Sequence, residues 1–171
     1  MRLRRWQRWL VEALLFLAAV FALHLWQTRE LPAGPAPAFA AVQSDGRSLS
    51  LQSALSEANG RPLLLYFWAT WCPICKAEEG GISALQGDWP LITVAMQSGD
   101  AQAVSRHLRE RALPYAAVAD ADGALAARYA VTGVPTHFII DARGNIRFRE
   151  VGYTTAIGLS ARLWWAQHFP A

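Results

Sequence analysis

Apolar positions along this chain fall into one long run near the amino end and a series of short runs after it. Pro62-Leu63-Leu64-Leu65-Tyr66-Phe67-Trp68 is the densest short run. Its length and its border at Asn59-Gly60-Arg61 predict a strand buried on both faces. Ala69, Thr70 and Trp71 form a turn, and Pro73 suits the first position of a helix reaching Gln86. Gly80-Gly81 should weaken or kink that helix. Leu91–Ala95 is a second buried strand, and Asp100 caps a helix over 101–111. Val104 and Leu108 face inward there, with Arg106, Arg109 and Arg111 solvated. Tyr115–Val118 is strand-like, and Ala124–Tyr129 is a small helix. His137–Ile140 and Ile146–Val151 form a hairpin across Asp141–Asn145. Ala156–His168 closes the chain as a helix.

Earlier, Phe39–Val42 and Ser48–Leu51 flank Asp45-Gly46, a hairpin signal. Ser53–Ala58 is a short helix or turn. The order β, α, β, α, β, α, β, β, α implies an α/β fold with a central mixed sheet and helices on both faces.

The long run, Leu10–Trp26, holds Glu12 near its start and His24 near its end, so Ala13–Leu23 is the uninterrupted part. A bilayer crossing takes about 20 residues. Residues 10–27 are therefore expected to be a transmembrane anchor only with Glu12 and His24 near the interfaces and Trp6, Trp9 and Trp26 as aromatic belts. A cleaved signal peptide and a soluble amphipathic helix are the alternatives. Arg2, Arg4, Arg5 and Arg8 make residues 1–9 a cytoplasmic basic tail. Residues 28–38, with Pro32, Pro35 and Pro37, form a Pro/Ala linker expected to hold a domain over 39–171 away from the membrane.

The chain has 171 residues and a net charge of +3. That excess lies before residue 31, where five arginines face Glu12 and Glu30; the remainder balances. A nucleic-acid partner would need a basic face on the folded part, and none is implied. Two cysteines are too few for a disulfide scaffold.

Those two, Cys72 and Cys75, stand three residues apart where strand gives way to helix. Unpaired amides and partial positive charge at a helix start stabilise a thiolate. Cys75 lies one turn on, so the pair can cycle between dithiol and disulfide. Half a zinc site would need two more ligands. The chain has no third cysteine, and its four histidines lack the required spacing. Haem attachment would need histidine where Lys76 stands.

Phe67-Trp-Ala-Thr-Trp-Cys72-Pro-Ile-Cys75, followed by Gly133-Val-Pro135-Thr-His-Phe-Ile-Ile-Asp141, resembles the membrane-anchored thioredoxin-like proteins of the TlpA/ResA/DsbE group over residues 39–168. Within that group the anchor and the Cys-Pro-Ile-Cys element are similar to the suppressor-of-copper-sensitivity protein D (ScsD) type. The resemblance implies a thioredoxin-like fold with Cys72 as the exposed nucleophile and Cys75 as the buried resolving thiol. It implies that Pro135 is a cis-proline facing the cysteines, with Val134 and Thr136 presenting backbone to substrate beside Trp71 and Pro73. Glu78 matches an acidic position of TlpA-like reductants; a proton relay and a solvated helix charge are its two readings. His137 is expected to be a strand residue that could tune the thiols. Trp164, Trp165 and Phe169 are expected to make core and amphipathic contacts.

The expected function is periplasmic thiol–disulfide exchange with protein partners at the inner membrane. The implied role is a specialised reductant of the copper-tolerance or cytochrome c maturation type. Its electrons would come from a DsbD-like membrane donor, with no cofactor beyond the Cys72–Cys75 disulfide and no metal. The alternative is a Cu(I) chaperone holding the metal between the same thiolates, with Met96 and His137 the only further candidate ligands.

Overall fold

The computed structural model describes residues 5–169. Arg2 and Arg4 of the expected basic tail lie outside the described residues, as do the side chains of His24 and Trp26. The chain divides into two units, residues 1–30 and 31–171. The first is one helix, α1 (Arg5–Thr28), on which Leu14, Leu15, Phe16 and Leu17 are exposed. Among the described residues no helix is long and apolar enough to cross a membrane.

The second unit begins earlier than the sequence pattern suggests. The stretch expected to be a free spacer lies on the domain instead. Leu31 is buried and Arg149 donates to its carbonyl at 2.9 Å. β1 (Gly34–Pro35) pairs antiparallel with β8 (Asn145–Val151). Tyr129 Oη and Arg128 Nη1 donate to the carbonyls of Pro37 and Ala38, each at 2.7 Å. Proline favours extended backbone, which serves an edge strand as well as it serves a spacer.

β2 (Ala40–Val42) and β3 (Ser48–Ser50) form the expected hairpin, with Gly46 in the left-handed region at its tip. Leu51 starts a helix instead of ending the strand, because Ser50 and Ser53 build a reciprocal capping box at α2 (Leu51–Glu57). β4 (Leu63–Trp68) is buried at all six positions. Each fully buried leucine there contributes about 1.5–3 kcal/mol. α3 (Pro73–Leu85) runs unbroken through Gly80-Gly81. A Cβ on Gly81 would touch that of Ala156 at 3.5 Å, so small residues let α3 sit close to α6 (Ala156–His168).

β5 (Leu91–Met96), α4 (Ala101–Glu110), β6 (Val118–Asp120), α5 (Ala124–Arg128) and β7 (Thr136–Ile140) complete the domain. The main sheet has the order β1-β8-β7-β4-β5-β6, with β4-β5-β6 parallel and the rest antiparallel. This is the expected mixed α/β sheet. One core joins Leu64, Tyr66, Trp68 and Ile139 to α3, α4 and α6; the other joins Leu63, Leu65, Phe67 and Phe138 to α2 and α5. The period of two along β4 and β7 sorts each residue to its layer.

The tail of α6 departs from expectation. Trp164, Trp165 and Phe169 are about half exposed, stacking on one another and on His168 rather than entering the core. Leu159, Leu163 and Ala166 take the inward stripe, which leaves the tryptophans on the outer face.

Candidate active site

β4 ends at Trp68, and Ala69–Trp71 carry the chain across the sheet end into α3. Thr70 N donates to Ser98 Oγ at 3.0 Å, and Trp71 Nε1 donates to the Gln97 carbonyl at 3.1 Å. Gln97 has φ of +47°, unusual for a side-chain-bearing residue. Cys72 is the N-cap of α3, Pro73 is its first residue, and Cys75 N donates to Cys72 Sγ at 3.1 Å. Cys72 and Cys75 form a disulfide, their Cα atoms 5.3 Å apart.

The Val134–Pro135 bond is cis, the geometry the resemblance implies. It brings the Val134 carbonyl to 3.5 Å from Cys72 Sγ. Val134 is half-buried, whereas Thr136 is buried and its hydroxyl donates to the Gly133 carbonyl at 2.8 Å. The Thr136 side chain is thus turned inward, away from any partner. Exposed Trp71, Pro73 and Ile74 flank the disulfide instead.

Cys72 differs from the expected exposed nucleophile: only 3% of the residue is accessible. As N-cap its sulfur folds back over the first turn of α3, against the cis-proline loop, instead of standing out into solvent. Cys75 is buried as expected, at 2%.

The two acids beyond the cysteines are both buried, so neither is a solvated helix charge. Glu78 Oε1 accepts from Thr154 N, and Oε2 lies 3.2 Å from His137 Nε2, an ion-pair distance without hydrogen-bond alignment. His137 is fully buried on β7 and stacks on Tyr66 of β4, with ring centroids 4.9 Å apart and planes 13° apart. Burial, and then the Glu78 carboxylate, push the Tyr66 phenol far above its usual range.

Glu79 has a different partner. Arg111 donates to its Oε2 from Nε at 2.9 Å and from Nη2 at 2.7 Å, while His107 Nε2 stands 3.9 Å from Oε1. Arg111 is exposed, as expected, and reaches that carboxylate from the solvated side; the hydrogen bonds raise the guanidinium pKa. Burial first, then Glu79 and Glu78, hold the Tyr115 phenol neutral well above its ordinary range.

Sequence reading missed Thr154, 76 positions from Glu78 in the chain, and Arg111, 32 positions from Glu79. No local pattern marks either one. Met96 packs on the α2/α5 side of the sheet, away from the face that holds the cysteines. His137 turns to Glu78. The copper-ligand set considered from sequence is therefore not assembled, and among the described residues no group of three or more His, Cys, Asp or Glu could hold a metal ion.

A disulfide at the N-cap of a helix, beside a cis-proline loop at the end of a mixed sheet, defines a thioredoxin-like thiol–disulfide oxidoreductase. Comparison with known proteins agrees. The AhpC/TSA family model matches residues 32–149. The thiol:disulfide interchange protein DsbE of Escherichia coli K12 is 32% identical over 169 residues, covering 91% of this chain and 88% of the relative. DsbE of Pseudomonas aeruginosa is 34% identical, covering 80% and 78%. A thioredoxin-family thiol:disulfide interchange protein from Chlorobium tepidum superposes with a TM-score of 0.67 at 25% identity, over 80% of this chain and 97% of that one. The chain belongs to the AhpC/TSA family, among its DsbE-like thiol:disulfide interchange proteins.

Proposed function

We propose that this oxidoreductase works as a membrane-tethered reductant facing the periplasm. The observation that carries the proposal is the buried carboxylate of Glu78, one helical turn beyond Cys75. A substrate disulfide is attacked by the Cys72 thiolate, giving a mixed disulfide and one substrate thiolate. Cys75 loses its proton to Glu78 and attacks Cys72 Sγ. The Cys72–Cys75 bond forms, the second substrate thiolate leaves, and two electrons have passed to substrate. Glu78 acts as the base for the buried thiol.

Trp71, Pro73 and Ile74 form the exposed rim on which a partner docks, and the backbone at Val134 and Pro135 receives its extended segment. Tethering at the inner membrane through residues 10–27 is supported by the exposed apolar side chains of α1 and by Arg5 and Arg8 at its start. Re-reduction by a DsbD-like membrane donor, and a task of the copper-tolerance (ScsD-like) or cytochrome c maturation type, complete the reading.

Insulin reduction by the full chain tests the chemistry: wild type should be active, and Cys75→Ser should stall as a mixed disulfide at Cys72. The potential of the couple against glutathione tests the direction. A value near that of strong oxidants would overturn the reductant role. Membrane fractionation of the full chain tests the tether; recovery only in the soluble fraction would exclude it.

A further inference from the structure

His137 is absent from the exchange steps above, yet it is the least accessible titratable group of the site. Its residue exposure is 0%, and its Nε2 faces Glu78 Oε2 at 3.2 Å. Its Nδ1 has no hydrogen-bond partner among the described residues. A buried imidazole with unsatisfied nitrogens is costly unless something compensates. A histidine kept only for packing would do better as phenylalanine, since the Tyr66 stack on its other side needs only a flat ring. The polarity is explained if the ring and the carboxylate share a proton.

We propose that His137 is a positioning residue for Glu78, and that the Glu78–His137 pair stores the proton released by Cys75 for as long as the disulfide stands. The inference rests on the reading of Glu78 as the base for Cys75. In the dithiol, Cys75 holds its proton and the pair holds none in common: Glu78 is a carboxylate and His137 is neutral. When Cys75 attacks the mixed disulfide, its proton passes to the Glu78–His137 pair, whose Oε2 and Nε2 face each other at 3.2 Å. When a donor dithiol later reduces the disulfide, Cys75 departs as a thiolate and takes that proton back. The pair therefore cycles between a net charge of minus one and zero, and never between zero and plus one.

The surroundings fit this range. Tyr66 from β4 and Tyr115 contribute neutral phenols, both held protonated by burial. Glu150 lies opposite His137 on β8, but Arg162 of α6 neutralises it at 2.6 Å. Glu79 on α3 is engaged by Arg111, with His107 at 3.9 Å. No arginine or lysine is paired with Glu78 among the described contacts; His137 is its ion-pair partner, and the Tyr66 phenol, held protonated by burial, also faces it. An arginine would hold the carboxylate in one state, whereas a histidine has a ring nitrogen that can give or take a proton.

The test is the rate of exchange with a small disulfide peptide between about pH 5 and pH 9, with the full chain as wild type, His137→Phe, Glu78→Gln and the double variant. In His137→Phe the pH at which the rate halves should move up by about one unit, and the rate near neutrality should fall roughly tenfold. Glu78→Gln should lose that transition, and the double variant should match Glu78→Gln with no further change. His137→Asn, which keeps a polar group but cannot titrate, should behave as His137→Phe and covers the case of a Phe variant that fails to fold. An unmoved midpoint in a folded His137 variant, or a double variant slower than Glu78→Gln alone, overturns the proposal. Absence of exchange in wild type at every pH would instead remove the exchange reading, and this inference with it.

Discussion

Glu78 and Glu79 are neighbours on α3, and both are buried, yet they meet different partners. Glu79 receives two hydrogen bonds from Arg111. Glu78 receives a backbone N–H from Thr154 and the edge of His137. A guanidinium keeps its charge at any pH a protein survives, so the Glu79 pair is a permanent clamp between α3 and the end of α4. An imidazole has a ring nitrogen that can accept or donate a proton, which a guanidinium lacks, and this is the difference on which the proposed relay rests. Burial alone does not mark an acid as functional; the titratability of its partner separates a strut from a relay.

That contrast can be broken from either side. Glu78→Gln should slow exchange at neutral pH roughly a hundredfold, the loss typical of a missing general base. Its effect on the urea midpoint of the oxidised protein should be smaller than that of the corresponding change at Glu79. An undiminished rate would return Glu78 to the structural class. Glu79→Ala should do the reverse. It removes charge-assisted bonds to a half-exposed guanidinium, at a cost of about 1 kcal/mol by urea denaturation. Exchange per folded molecule, and its pH profile, should stay as in wild type; a changed profile would mean that the two acids act as one.

The buried phenols on the two faces of the sheet extend the comparison to high pH. Tyr66, Tyr115 and Tyr129 are all raised by burial. In the unfolded chain they ionise near pH 10, while the folded chain holds their protons to higher pH. The native state thus binds more protons above that point. Stability from these groups is complete below about pH 10 and declines as pH rises beyond it. Tyrosinate absorbance from the three should therefore appear together with unfolding, and Tyr66→Phe should flatten the alkaline fall. Ionisation of all three ahead of unfolding would refute the burial account.

The smallest effect lies further along the same helix. A Cβ on Gly80 meets nothing within 4 Å, so Gly80→Ala should stabilise α3 by about 0.5–1 kcal/mol without touching exchange. Gly81→Ala, whose Cβ would come against Ala156, should gain less.

Much of this molecule is legible in the sequence alone. The apolar run of β4, the helix start at Pro73 and the bounds of α6 follow from local rules of burial, proline geometry and period, which act over a few residues. The cysteine pair was legible for the same reason, since its chemistry depends on a spacing of three along one helix. Local rules failed where two elements compete for one segment. Residues 31–38 have the composition of a spacer, yet β8 offers an edge and Tyr129 and Arg128 offer donors, so the segment docks. The outward turn of Trp164 and Trp165 was hidden too, because an aromatic-rich helix end can place either side inward until the other inward residues are known.

The sequence by itself thus determined the α/β class, the redox pair and its place at a helix start, because each is written within one turn or one strand. Only the tertiary structure decided which acid became a clamp and which faced a histidine. Thr154, His137 and Arg111 reach α3 from distant parts of the chain, and a sequence does not show which of two adjacent carboxylates each will meet. The folded-back position of the Cys72 sulfur was decided there too, since it depends on a loop more than sixty residues away.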